Sequence, residues 1–135
     1  MKREFDRPAS QEVFYVEDHP TNVLLMQAVF KRRPHLRLTI AGDGNEARSL
    51  AQHMQPSLLL LDLRLPDCHG ADLLKELRQL PGWGELPAVA VTAEPGFQTD
   101  GTSFSEVWPK PIDLGFVLRR LDQLASQTQA EMHDA

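Results

Sequence analysis

Hydrophobic positions along the chain follow two alternating periods. Val13-Phe14-Tyr15-Val16, Leu58-Leu59-Leu60-Leu61 and Ala88-Val89-Ala90-Val91 are short, nearly continuous apolar runs. Such runs are the mark of strands buried on both faces, as in parallel sheets. Leu36, Leu38 and Ile40 alternate with polar residues, and Glu106-Val107-Trp108 is a short β-favouring stretch before Pro109. These five segments predict five strands.

Helical stripes run between them. From Pro20 to about Arg33, Val23, Met26 and Phe30, with the Gln27 position, mark an inner face, and Pro34 closes the helix. Ala47, Leu50, Ala51 and Met54 fall at i, i+3, i+4 and i+7. Leu73, Leu74, Leu77 and Leu80 follow Gly70, and Leu114, Val117, Leu118, Leu121, Leu124 and Ala125 line a last helix. The segment from Glu94 to Ser105 breaks the alternation. It holds Pro95, Gly96 and Gly101, and its large apolar groups are Phe97 and Phe104. That is too little helix propensity and too thin a stripe for a stable helix. Residues 1–11 and 127–135 read as flexible polar tails around one domain spanning 12–126. Strands alternating with helices and joined by short loops predict an α/β fold, a doubly wound parallel sheet with helices on both faces.

Composition narrows this only slightly. A chain of 135 residues with 41% hydrophobic residues suits one domain with one core. No apolar run approaches membrane-spanning length, and the start, MKREFDRPASQE, lacks a signal-peptide core. The lone cysteine, Cys68, allows no internal disulfide, which fits a reducing, cytoplasmic setting. The net charge of -5, without a basic stripe, argues against nucleic acid as a partner.

The chemistry lies at the strand ends. Glu17 and Asp18, Asp62, Thr92, and Lys110 stand at the ends of four predicted strands. In a parallel sheet those ends share one edge, where α/β proteins bind ligands. The chain therefore brings three carboxylates, a hydroxyl and an ammonium to one place. Two carboxylates at about 4 Å repel by about 4 kcal/mol at an effective dielectric near 20. A hard divalent cation relieves this, and Mg²⁺ suits a site with few carboxylates and retained waters. A lysine and a hydroxyl beside it suit a phosphoryl group, and a carboxylate can carry that group as an acyl phosphate. Asp62 is the central one.

In this order and at these strand ends, five stretches closely resemble the receiver domain of two-component response regulators. They are Val16-Glu17-Asp18-His19-Pro20-Thr21-Asn22, Gly42-Asp43-Gly44-Asn45-Glu46-Ala47, Leu61 through Gly70, Val91-Thr92-Ala93, and Lys110-Pro111-Ile112. The resemblance covers roughly residues 12–126 and implies a flavodoxin-like sheet of strand order 2-1-3-4-5. It implies Asp62 as phosphoacceptor from a histidine kinase or histidine phosphotransfer protein. It implies Mg²⁺ held by Asp18, Asp62 and the Arg64 backbone carbonyl, with Glu17 acting through water. Thr92, Ala93 and Lys110 would bind the phosphoryl group, Thr92 and Trp108 would form the switch, and the Lys110–Pro111 bond would be cis. Arg64 and Glu94, at the rim, would tune acyl-phosphate lifetime, pairing across the mouth to hinder water. The output would pass to an unidentified downstream protein, with room for a homodimer. The chain would not be a conventional enzyme, acting at most in its own phosphorylation and dephosphorylation. Thr92 and Lys110 lie only 18 positions apart, which predicts a short or missing fourth helix.

Two other functions compete. An aspartyl-phosphate phosphatase of the haloacid dehalogenase class wants a second Asp two residues after the nucleophile, where this chain has Arg64. A phosphorylation-independent module of receiver fold is favoured by Trp108 and the altered fourth-helix segment, and opposed by the intact set of Asp18, Asp62, Thr92 and Lys110. Taken singly, Thr92 reads as a β-former and Lys110 as a surface lysine; the set gives them roles. Cys68 reads as a loop thiol, Trp83 as a locally packed residue, and the five histidines show no metal-ligand spacing.

Overall fold

A computed structural model describes residues 11–134, with side chains through residue 125. The elements are β1 (Gln11–Val16), α1 (Pro20–Lys31), β2 (Leu36–Ala41), α2 (Gly44–Ala51), β3 (Leu58–Asp62), α3 (Gly70–Leu77), β4 (Ala88–Thr92), β5 (Glu106–Pro109) and α4 (Leu114–Asp134). The strands form one sheet in the order β2-β1-β3-β4-β5, all neighbours parallel.

The leucine run of β3 is explained by strand periodicity. Leu59 and Leu61 point into one core with Ala47 and Ala51 of α2 and Leu73, Leu74 and Leu77 of α3. Leu58 and Leu60 point into the other, with Met26, Val29 and Phe30 of α1 and Val117 and Leu121 of α4. Both faces are thus covered, and the central strand carries no outward position.

Local chemistry sets the helix starts. Asp43 caps α2, its Oδ1 accepting from the Glu46 N–H at 2.8 Å, while Glu46 Oε1 accepts from the Gly42 N–H at 2.6 Å. His69 caps α3 by accepting from the Ala71 N–H at 3.1 Å. Asp67, in the loop between β3 and α3, ties that loop to α2 by accepting from the Gly44 and Asn45 N–H groups at the helix start. Gly70 is required by close approach, since a Cβ there would meet the Asp62 carbonyl oxygen at 2.2 Å.

Residues 93–105, between β4 and β5, contain no helix, as the short spacing predicts. Phe104 is buried there and stacks edge-on against Phe97 at 6.0 Å. Gly96 and Gly101 take positive φ, which glycine tolerates. Arg78, just past α3, anchors this region. Its guanidinium donates to the carbonyls of Trp83, Leu86 and Ser103 at 3.0, 2.6 and 2.9 Å. Trp83 is 1% exposed and meets Phe14 edge-on at 6.0 Å, so it belongs to the core.

Three expectations need correction. β1 begins at Gln11, because Gln11 and Glu12 pair with Leu36 and Arg37 despite their polarity. In α1, Gln27 is exposed and Val29 is buried, so the inner stripe is Met26, Val29 and Phe30. The backbone of residues 127–134, expected to be a tail, continues α4. The expected N-terminal tail, apart from Gln11, lies outside the described residues, as does Ala135.

Candidate functional site

Parallel strand order carries the predicted residues to one edge. Glu17 and Asp18 follow β1, Asp62 ends β3, Thr92 ends β4, and Lys110 follows β5. One carboxylate oxygen each from Glu17, Asp18 and Asp62 lies within 4.8 Å of the others. Lys110 Nζ is 2.8 Å from Glu17 Oε1 and 3.1 Å from Asp62 Oδ2. Three carboxylates therefore face one ammonium. Glu17 is 0% exposed and Asp62 4%; Asp18 is exposed.

Glu17 is the more firmly held of the buried pair. Its Oε1 also accepts from the Tyr15 hydroxyl at 3.0 Å, and its Oε2 from the His19 N–H at 3.1 Å. Burial opposes its charge, but Lys110, His19 and Tyr15 together keep its carboxyl below the usual range. Asp62 is pushed the other way, by burial first and then by the neighbouring Glu17 charge; Lys110 and the Arg64 N–H offset this only in part. That N–H reaches Asp62 Oδ1 at 3.2 Å. Burial first, and then Glu17, also push the Tyr15 phenol up, so it stays an O–H donor.

Asp62 and Lys110 open on a cleft of about 370 Å³ that also touches His19, Asn22, Arg64, Thr92, Ala93, Glu94 and Pro95. Thr92 is buried at its wall, its hydroxyl oxygen accepting from the Glu94 N–H at 2.9 Å, which leaves the O–H free to donate. Arg64 and Glu94 face each other across the mouth at 3.6 Å. The Lys110–Pro111 bond is cis.

Trp108 lies apart from the cleft. It is 1% exposed, and its indole N–H donates to Glu106 Oε2 at 2.5 Å. Arg120 grips the same carboxylate from α4, at 2.9 Å to Oε2 and 2.6 Å to Oε1. Phe116 stacks edge-on against the indole at 6.3 Å. Cys68 is half-buried, and burial with the Asp67 charge pushes its thiol up, so it is no activated nucleophile.

The family model described as the response regulator receiver domain matches residues 13–103. The chain belongs to the response regulator receiver domain family. The receiver domain is 31% identical over 136 residues to the probable transcriptional regulatory protein TcrX of Mycobacterium tuberculosis, covering 95% of this chain and 54% of that protein. It is 29% identical over 119 residues to an uncharacterised 14.6 kDa protein of Leptolyngbya boryana, covering 85% of this chain and 90% of that one. Against the histidine-protein kinase BarA of Escherichia coli K12 it is 30% identical over 105 residues, 75% of this chain but 11% of the kinase. The receiver domain thus spans nearly all of one relative, about half of another and a small part of a third. Among solved structures, the receiver domain of the sensor histidine kinase PA1611 of Pseudomonas aeruginosa superposes with a TM-score of 0.74 at 27% identity, over 86% of this chain and 98% of that one. That structure is described with a magnesium ion coordinated in its active-site cleft. A signal receiver domain from Pseudomonas fluorescens Pf-5 superposes with a TM-score of 0.80 at 19% identity, over 96% of both chains, which supports the fold. The five-stranded sheet in the order 2-1-3-4-5 is that of receiver domains, and the domain is a module of two-component signalling rather than a conventional enzyme. No helix among the described residues is long and apolar enough to cross a membrane.

Sequence reasoning missed three contributors. Tyr15 read only as a β-former, yet its hydroxyl serves the site. The His19 main chain does too, and no side-chain signal announces a backbone donor. Arg120 lies 14 positions from Glu106, beyond the reach of any local motif.

Proposed function

We propose that this receiver domain accepts a phosphoryl group on Asp62 from a phosphohistidine donor, on a histidine kinase or a phosphotransfer protein, with Mg²⁺ at the acidic cluster. One observation carries the reading: Asp62 ends the central strand 3.1 Å from Lys110 and clusters with Glu17 and Asp18 within 4.8 Å. The donor set fits the metal, being made of hard carboxylate oxygens with more negative charge than Lys110 can neutralise. Asp18 and Asp62 would hold the ion with the Arg64 carbonyl, and Glu17 would act through water. When bound, the ion supplies neutralisation of charge on the phosphoryl oxygens.

An Asp62 carboxylate oxygen attacks the phosphorus in line with the leaving imidazole. A P–O bond forms, the P–N bond breaks, and its electron pair returns to the imidazole nitrogen. Lys110 shifts from its carboxylate partners to the incoming oxygens. The Thr92 hydroxyl, which keeps its bond from the Glu94 N–H, donates its proton to one of them, beside the exposed Ala93 backbone. The new group adds about −1.5 to −2 charges at neutral pH and three acceptors. Thr92 and Trp108 on the adjoining strands β4 and β5 would pass this change to a downstream protein or to a second copy of the chain. Arg64 and Glu94 would screen the acyl phosphate from water.

The test is incubation with acetyl phosphate and Mg²⁺, read by intact mass. A single phosphoryl adduct is expected, lost in Asp62→Asn and without Mg²⁺. An adduct that survives Asp62→Asn, or none at all in the wild-type chain, refutes the reading. In the second case the surviving alternative is a phosphorylation-independent module, to which the bonded, fully enclosed Trp108 lends itself.

A further inference from the structure

Tyr15 lies on β1 and Glu17 one residue past its end, two positions on, and the Tyr15 side chain runs toward that of Glu17. The Tyr15 ring is 0% exposed and lies in the core between the sheet and α1 and α4, with Met26, Val91 and Trp108. Its hydroxyl emerges at the strand end and donates to Glu17 Oε1 at 3.0 Å. Lys110 Nζ serves the same oxygen at 2.8 Å. Two donors of different character thus share one acceptor. The phenol is fixed by packing, with few rotatable bonds, whereas the ammonium sits on a long stem and has Asp62 as a second partner.

That difference matters once Lys110 turns to another acceptor. A fully buried carboxylate oxygen left without a donor is costly. Tyr15 keeps Glu17 Oε1 bonded, and the His19 N–H keeps Oε2 bonded, independently of where Lys110 points. The reach is also specific to glutamate. An aspartate at position 17 would withdraw the carboxylate by about one C–C bond, roughly 1.5 Å, and strand the phenol in the core.

We propose that Tyr15 is a positioning residue for the acidic site: its phenol O–H holds the Glu17 carboxylate in place so that Lys110 can be drawn away, and Tyr15 with Glu17 forms one functional unit. This rests on the proposed reading of the site as a Mg²⁺-assisted phosphoacceptor. Groups that orient the ligands of a metal typically contribute 10- to 100-fold in affinity or activity.

The experiment uses the full chain and two measurements. The first is metal-free: denaturant midpoints in EDTA for the wild type, Tyr15→Phe, Glu17→Met (similar in length and without an oxygen acceptor for the phenol) and the double variant. The two losses should be non-additive, the double variant falling little below the worse single one. The second is titration calorimetry with Mg²⁺ alone, where Tyr15→Phe should bind about 10- to 100-fold more weakly. Glu17→Asp should also bind more weakly than the wild type, and Tyr15→Phe/Glu17→Asp no more weakly than Glu17→Asp alone. Additive midpoints, or a Tyr15→Phe affinity within about twofold of wild type, overturn the proposal and leave Tyr15 as core packing. A wild-type chain that binds no Mg²⁺ and takes no phosphoryl group refutes the phosphoacceptor reading and the proposal with it. Failure of the Tyr15→Phe arm alone leaves that reading standing.

Discussion

Replacing Arg78 by methionine removes the guanidinium and keeps most of the apolar stem, so it isolates the three hydrogen bonds that pin the stretch between α3 and β5. Two of them, to the Trp83 and Leu86 carbonyls at 3.0 and 2.6 Å, are partly buried. The third, to Ser103 at 2.9 Å, is exposed. A hydrogen bond to a charged group contributes about 1.5–3 kcal/mol net when buried, and an exposed one much less because water replaces it. Arg78→Met should therefore cost about 3 kcal/mol, a large share of the 5–15 kcal/mol typical of a domain. With a urea slope of about 2 kcal/mol per molar, the unfolding midpoint should fall by about 1.5 M. Arg78→Lys should recover little, since one ammonium cannot reproduce a planar fork facing three carbonyls. Amide exchange should quicken first in residues 97–105, the part tied down from outside rather than by its own ladder. A midpoint drop below about 0.3 M for Arg78→Met, or full recovery by Arg78→Lys, would refute the view that this side chain stands in for a helix.

Two further outcomes follow from the rim and from β5. The Arg64–Glu94 contact is long and its arginine is 78% exposed, so Arg64→Ala should leave stability unchanged; it should speed loss of the acyl phosphate by roughly two- to fivefold, read by the decay of the phosphorylated mass, and an unchanged rate removes the rim role. Glu106 is held below its ordinary value of 4.5 by hydrogen bonds from Arg120 first and the Trp108 indole, against opposing burial. A depressed folded value means stability that is present above the ordinary one and is lost as the pH falls through the folded one. The stability gap between wild type and Glu106→Gln, followed by denaturant melts from neutral pH to about pH 3, should therefore narrow with acid; a constant gap would show that the carboxylate's charge contributes nothing.

Much of the site was legible because it depends on strand ends, and strand ends depend on hydrophobic runs. Once β3 is read from Leu58–Leu61, Asp62 must stand at an edge, and parallel order brings Glu17, Asp18, Thr92 and Lys110 beside it. The missing helix was legible for the same reason, since residues 94–105 offer no stripe to bury. What escaped depends on partners without a pattern. Arg78 binds backbone carbonyls, which every residue carries. The Tyr15 hydroxyl is masked by a ring that reads as core. Gln27 was placed inward where Val29 belongs, because adjoining stripes on a short helix differ by a small rotation. Polar composition at Gln11 and Glu12 hid two strand residues, since an edge partner such as β2 tolerates polar pairing.

Pro109 closes the outermost strand, and Pro111 follows two residues later. Proline has no N–H, so a polypeptide laid along that margin would find gaps where a backbone ladder needs donors. The margin next to the acidic cleft is thereby made a poor template for strand addition, in self-association or in partner capture. A partner docking there would meet side chains instead, above all the Glu106–Arg120 pair and the loop that Arg78 holds down.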